Sequence, residues 1–242
     1  TLAEAPADIV ERILAFEPKI VGLSVYVWNV ELLTEVVELL KALAPGVAVV
    51  VGGPEVSHDR EGLRITERAD FVVQGEGEVV FAALCRQILE GEWPRERVQH
   101  GGLPDLKSLR SPYPLYSDTD LAQRTLYVEA SRGCPYRCEF CLSALDLQVR
   151  HFPVEPLIEE LQRLLQRGAR HFKFVDRTFN LQISISTRIL SFFLENLRPG
   201  ILLHFELVPD RLPEELRALI VRFPPGCLQF EVDRKSTRLN SS

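Results

Sequence analysis

The sequence lacks any run of about 18 apolar residues, the length a membrane-crossing helix needs, so no membrane span is expected. It lacks a charged-then-apolar leader, so no signal peptide is read. It lacks a basic excess. Lys plus Arg number 28 against 34 Asp plus Glu, a formal charge of −6, which argues against a surface built to coat nucleic acid. It has few cysteines, five, an odd number with three of them clustered, which is not the pattern of a secreted disulfide framework. A reducing, cytoplasmic setting suits that usage. What is present in quantity is apolar residue, 46% of 242, enough for real cores and for one large or two ordinary domains.

Strand and helix patterns alternate along the first hundred residues. A helix over Ala7–Phe16 precedes the buried run Ile20-Val21-Gly22-Leu23-Ser24-Val25. Asn29 stands where a helix cap would, ahead of the stripe Leu32, Leu33, Val36, Val37, Leu40 and Leu43. Val47–Val51 and Phe71–Val73 read as further buried strands, and Val79–Glu90 as a helix stopped by Gly91. Such alternation predicts a parallel, doubly wound α/β sheet, whose ligands bind beyond the carboxyl ends of the strands. Three strand ends are small or polar: Ser24 with Tyr26 up to Asn29, then Gly52, Gly53, Pro54 and Glu55, then Gly75, Glu76, Gly77 and Glu78. Two readings stand side by side. These glycines let backbone approach a flat or phosphate-bearing ligand, or they serve ordinary strand-to-helix turns.

Residues 93–122 hold Pro94, Gly101, Gly102, Pro104, Pro112 and Pro114 with no apolar period, and read as a linker. Tyr113, Leu115 and Tyr116 within it are expected to pack across a domain interface. A second alternating pattern then begins. Thr125–Glu129 is a strand. Val154, Leu157, Ile158, Leu161, Leu164 and Leu165 share one helical face, with acids at its start, arginines at its end and Gly168 after it. His171–Val175, Ile201–Phe205 and Leu228–Phe230 are strands; helices near Ser186–Glu195 and from Pro213 lie between them. Four βα-type strands predict part of a parallel β/α barrel, with functional groups at the carboxyl ends of its strands. Asp176 and Glu206 close two of those strands, and Glu231 lies in the last. For any one of them the plain alternative is a cap on the next helix.

After the first strand of this second pattern comes Ser131-Arg132-Gly133-Cys134-Pro135-Tyr136-Arg137-Cys138-Glu139-Phe140-Cys141. Three thiolates on a loop can hold a soft metal or an iron–sulfur cluster. Tetrahedral zinc usually takes four protein ligands, and no partner Cys-x2-Cys or His-x3-His pair lies elsewhere. A [4Fe–4S] cube held by three cysteines leaves one iron open. Cys85 and Cys227 read as small buried residues.

The Cys-x3-Cys-x2-Cys spacing, with an aromatic at Phe140, resembles the signature of the radical S-adenosylmethionine (SAM) superfamily. The resemblance implies Cys134, Cys138 and Cys141 as cluster ligands, Phe140 against the adenine, and an open iron that chelates SAM for reductive cleavage. Val21–Ser24, Val51–Glu55 and Val73–Glu78 resemble the cobalamin-binding domain found ahead of many radical SAM cores. It implies that Ser24, Tyr26, Gly52, Gly53, Pro54, Glu55, Gly75, Glu76, Gly77 and Glu78 surround cobalamin. The Asp-x-His-x2-Gly motif that supplies histidine to cobalt is absent, and His58, in a polar turn, is not nominated. Phe172–Asn180 and His204–Glu206 with Pro209–Pro213 resemble an uncharacterised subgroup of such proteins, which implies Asp176 and Glu206 as catalytic residues and Arg177, Asn180 and Glu231 as cofactor-binding.

The expected organisation is a cobalamin-binding Rossmann-like domain over 1–92 with its first strand missing, a linker over 93–122, the first part of a radical SAM barrel over 123–233, and a non-native polar tail over 234–242. The resemblance implies a [4Fe–4S] cluster, SAM and cobalamin as cofactors and a flavodoxin or ferredoxin as reductant. The implied reaction is methylation of an unactivated centre of a small molecule or peptide. A cobalamin-dependent rearrangement or cyclisation, and a non-catalytic cofactor-binding protein, stand as alternatives.

Overall fold

The computed structural model describes residues 4–58, 62–138, 141, 146–209 and 212–232. The chain divides into two compact units, Thr1–Asp105 and Leu106–Ser242.

The first unit is built on a four-stranded parallel sheet in the order β1 (Ile20–Ser24), β2 (Ala48–Gly52), β3 (Phe71–Gln74), β4 (Val98–His100). Around it lie α1 (Pro6–Leu14), α2 (Val30–Leu43), α3 (Pro54–His58), α4 (Arg64–Arg68) and α5 (Glu78–Leu89). Pro6 sits in the first turn of α1, where its missing N–H costs nothing. Ile20 pairs with Ala48 and Ser24 with Gly52, which brings the carboxyl ends of β1 and β2 level. Side chains alternate across the sheet. Val21, Val49, Val51 and Val72 pack with residues of α1, α2 and α4, whereas Val50, Phe71 and Val73 pack with Leu84 of α5. Burial on both faces is why these strands read as unbroken apolar runs. Lys41 fastens the edge of this unit: its ammonium lies 2.8 Å from Asp70, whose carboxylate also accepts the Val49 N–H at 2.7 Å.

Three expectations are corrected here. Val98–His100, inside the stretch read as linker, is a strand paired with β3; Arg97 beside it donates to the carbonyls of Thr66, Glu67 and Ala69. Asn29 occupies the cap position of α2 but does not cap it: its Oδ1 accepts from Tyr26 N–H and its amide donates to Ser24 O, folding the strand end back on itself. His58 ends a short helix rather than lying in a turn.

The second unit carries a parallel sheet in the order β10 (Leu228–Val232), β9 (Leu202–Leu207), β8 (His171–Phe174), β5 (Leu126–Val128). A small antiparallel pair, β6 (Ser131–Arg132) with β7 (Arg150–His151), stands apart from it. Helices α6 (Asp118–Gln123), α7 (Val154–Gln166), α8 (Ile183–Glu195) and α9 (Glu214–Ile220) complete the unit. Helix α6 opens with a capping box between Ser117 and Asp120. Leu126, Val128, Phe172, Phe174, Leu203 and Phe205 share a buried core with α7 and α8. Phe174 stacks on Phe205 with centroids 4.7 Å apart, and Phe205 on Phe230 at 6.1 Å. Tyr113 and Tyr116, expected at a domain interface, belong to this core and its border, and Leu115 is exposed. The Tyr113 hydroxyl accepts the Glu129 N–H at 3.0 Å, and that of Tyr116 donates to Tyr127 O at 3.3 Å. Pro213 holds the cap position before α9, and α8 begins three residues earlier than its apolar stripe suggests.

Candidate functional site

The chain leaves the sheet of the second unit at Val128 and makes an excursion closed by the β6–β7 clip. Ser131 pairs with His151 and Arg132 with Arg150, and Phe152 N–H donates to Ala130 O at 2.9 Å. Gly133 turns at φ +86°; a Cβ there would run into the Gln148 carbonyl oxygen, so the turn admits glycine alone. Cys134 N–H then donates to Asp146 O at 2.9 Å. Arg132 forks onto the Glu129 carboxylate at 3.0 Å and lies over the Phe152 ring. Cys134 and Cys138 are buried, Cys141 is half-buried, and Cys141 N–H donates to Cys138 O at 3.0 Å. None of the three is in a disulfide.

Three thiols on one loop are a donor set that fits an iron–sulfur cluster. Among the described residues no three His, Cys, Asp or Glu side chains gather around one point. In a cubane each thiolate takes a different iron, so its three sulfurs stand apart. Phe140 lies outside the described residues.

Asp176, just past β8, is 2% exposed. Its Oδ2 accepts the Ala130 N–H at 3.0 Å and its Oδ1 the Ser131 hydroxyl at 2.5 Å. Burial pushes its pKa up to about 6, against the pull of those two hydrogen bonds. Asn180 is fully buried and acts as a backbone bridge: its amide donates to Val208 O at 2.7 Å and its Oδ1 accepts Val208 N–H at 2.9 Å. Arg177 is exposed. Asp176 makes no cap bond to α8, which begins at Ile183; it holds the limb leading into the cysteine loop.

Glu206 and Glu231 are neighbours in register across β9 and β10. They lie on the sheet face turned away from α7 and α8, together with Tyr127, Lys173, His204 and Gln229, which pair in one row across four strands. Lys173 Nζ and His204 Nε2 both approach Glu231 Oε1, at 3.3 and 3.0 Å. Sequence reasoning missed Lys173 and His204. The signal was there in Phe172-Lys173-Phe174 and His204-Phe205-Glu206, where a period of two puts the polar residues opposite the phenylalanines.

In the first unit the strand ends interlock. Val25 N–H donates to Gly52 O at 2.7 Å, and at Gly53 (φ +111°) a Cβ would meet Val25 O at 2.6 Å. The Ser57 hydroxyl donates to Gly53 O at 2.8 Å and accepts Gly75 N–H at 3.1 Å. Gly77 lies close to Val73, and Gly101, backed against the Glu76 carbonyl, donates to Gln74 O at 2.8 Å. Of the two readings of these glycines, the turn reading accounts for Gly53, where chain packs on chain. Ser24 and Glu78 are exposed, as are Val27, Trp28 and Val79 at the same carboxyl edge, and Tyr26 stacks on Trp28 with centroids 4.6 Å apart. Pro54 and Glu55 open α3. An exposed apolar and aromatic rim at a sheet's carboxyl edge fits a broad, flat group such as a corrin.

Residues 2–85 match the B12 binding domain family. The chain is 32% identical over 212 residues to an uncharacterised methyltransferase of Pyrococcus horikoshii, covering 76% of this chain and 46% of that protein. It is 33% identical over 193 residues to the cobalamin-dependent radical SAM methyltransferase TokK of Streptomyces tokunonensis, covering 68% and 28%. The chain thus spans less than half the length of these curated relatives. Its fold is that of the radical SAM methyltransferase TsrM from Kitasatospora setae, solved with cobalamin and a [4Fe–4S] cluster: TM-score 0.69 over 93% of this chain and 50% of that one, at 18% identity. The B12-binding match falls within the first unit, and the parallel β/α sheet of the second shares the fold of that neighbour. The chain is thus similar to radical SAM proteins that carry a cobalamin-binding domain.

Proposed function

We propose that this chain is the cofactor-binding portion of a cobalamin-dependent radical SAM methyltransferase acting on an unactivated centre. The observation that carries the proposal is the cysteine loop: three cysteines outside any disulfide at the observed spacing, two of them buried, on a loop fastened at the carboxyl end of a parallel strand. Cys134, Cys138 and Cys141 would hold the cluster, and Ser24, Tyr26 and the segments 52–55 and 75–78 would surround cobalamin. When bound, the cluster supplies an electron to SAM and cobalamin supplies a transferable methyl group. The chain's own residues bind and orient. The hydrogen-bonded limb of residues 130–134 presents the first thiol. The Glu206 and Glu231 carboxylates, with Lys173 and His204, offer charged and hydrogen-bonding contacts on the open sheet face. A flavodoxin or ferredoxin is the electron donor in this reading, and a small molecule or peptide the substrate.

Anaerobic reconstitution with iron, sulfide and cobalamin, followed by product analysis with SAM and a reductant, tests it. S-Adenosylhomocysteine together with 5′-deoxyadenosine is the expected result. 5′-Deoxyadenosine alone would favour rearrangement or cyclisation, cofactor uptake without turnover a binding protein, and failure to take up iron would overturn the cluster assignment.

A further inference from the structure

Where β5 ends, the chain must turn out of the sheet into the cysteine loop. Val128 is still paired, its carbonyl accepting Val175 N–H at 2.9 Å, but Ala130 has passed the end of β8 and its N–H has no strand to meet. Asp176 fills that gap, and does so twice, through Ala130 N–H and the Ser131 hydroxyl. A buried carboxylate is costly and needs hydrogen bonds to offset its lost hydration. Two consecutive donors on one limb supply them, and both carboxylate oxygens are used. On the far side the limb is held again, by Phe152 N–H on Ala130 O and by Cys134 N–H on Asp146 O, with Gly133 pressed against Gln148. The limb from Ala130 to Cys134 is therefore gripped from two sides by the chain itself, whereas Cys138 and Cys141 lie further along.

We propose that Asp176 is a positioning residue that presets Cys134 for cluster capture by clamping Ala130 and Ser131, and that it touches neither SAM nor substrate. The cluster half of this inference rests on the reading of the cysteines above; the clamp half concerns the chain alone. Cys134 enters assembly as the preformed ligand, and Cys138 and Cys141 follow.

The test compares Asp176→Ala, Asp176→Asn and Ser131→Ala, with Ser186→Ala as the control, since the buried Ser186 hydroxyl bonds to Phe179 O and Gln182 O and not to the cysteine limb. The first readout is the alkylation rate of each cysteine in the metal-free chain, resolved by peptide mass spectrometry. Loss of two buried hydrogen bonds should raise the Cys134 rate by about tenfold in Asp176→Ala, with Cys227 unchanged. Asp176→Asn should recover most of the protection, and Ser131→Ala should fall between. Ser186→Ala should leave Cys134 at the wild-type rate even where it lowers the melting temperature. The second readout is iron bound after reconstitution, expected to fall several-fold in Asp176→Ala and to return in Asp176→Asn. An Asp176→Ala chain whose Cys134 reacts as in wild type, or whose Cys134 and Cys227 quicken together, overturns the clamp. If the wild-type chain takes up no iron, the cluster assignment fails, while the alkylation pattern still decides the clamp. Should Asp176→Ala not fold, Ser131→Ala carries the same comparison.

Discussion

At Gly133 the backbone sits at φ +86° with the Gln148 carbonyl where a side chain would be. Gly133→Ala must strain the turn and push back the returning limb, a loss of about 2 kcal/mol or more; thermal unfolding and iron uptake would both register it. Asp176 makes a pH prediction with a definite sign. Its folded pKa of about 6 lies above the ordinary 3.8, so the stability linked to its proton is fully present below 3.8 and vanishes as pH rises through 6. Relative to Asp176→Asn, the wild type should gain about 1 kcal/mol between pH 7 and pH 5, read from denaturant midpoints. Asp120 and Glu155, held low by hydrogen bonds from Ser117 and Arg188, act with the opposite sign below pH 4. His151, pushed down by burial, also opposes, but it is common to both chains. That the cysteines sit on a loop was legible in the sequence, because Gly133 and Pro135 break helix and strand there. The roles of Asp176 and Asn180 were not, because a helix cap, a ligand contact and a backbone clamp all call for the same short polar side chain at a strand end.

At the scale of the element, β8 and β9 are aromatic on one face and ionisable on the other. Phe205 is fully buried between Phe174, Phe179 and Phe230. Phe205→Ala should cost about 3–5 kcal/mol, whereas Lys173→Ala, on the open face, should leave the unfolding midpoint within about 0.5 kcal/mol of wild type. A calorimetric scan of both variants checks the contrast. The long strands and helices could be read from their periods. β4, β6 and β7 could not: they are two or three residues long, carry no run or alternation, and exist because Arg97, Phe152 and Asp146 fasten their neighbours from elsewhere in the chain.

At the scale of the molecule, each unit has its own core: Val36, Val49 and Val51 and their neighbours in one, Phe172, Phe193 and Phe205 in the other. Cobalamin binding and cluster binding should therefore separate. A chain with Cys134, Cys138 and Cys141 all replaced by Ala should lose iron and retain cobalamin, as seen in its absorption spectrum after gel filtration. Gly53→Ala, which drives a methyl group into the Val25 carbonyl, should do the reverse.

The two-faced sheet of the second unit divides labour in a way that bears on how such a scaffold diversifies. Residues packed beneath the helices answer only to the requirement of cohesion, and drift there is tolerated while the volume stays filled. Tyr127, Lys173, Glu206, Gln229 and Glu231 lie on the other face and are not members of that core. Exchange among them is expected to leave the packed side of the sheet intact.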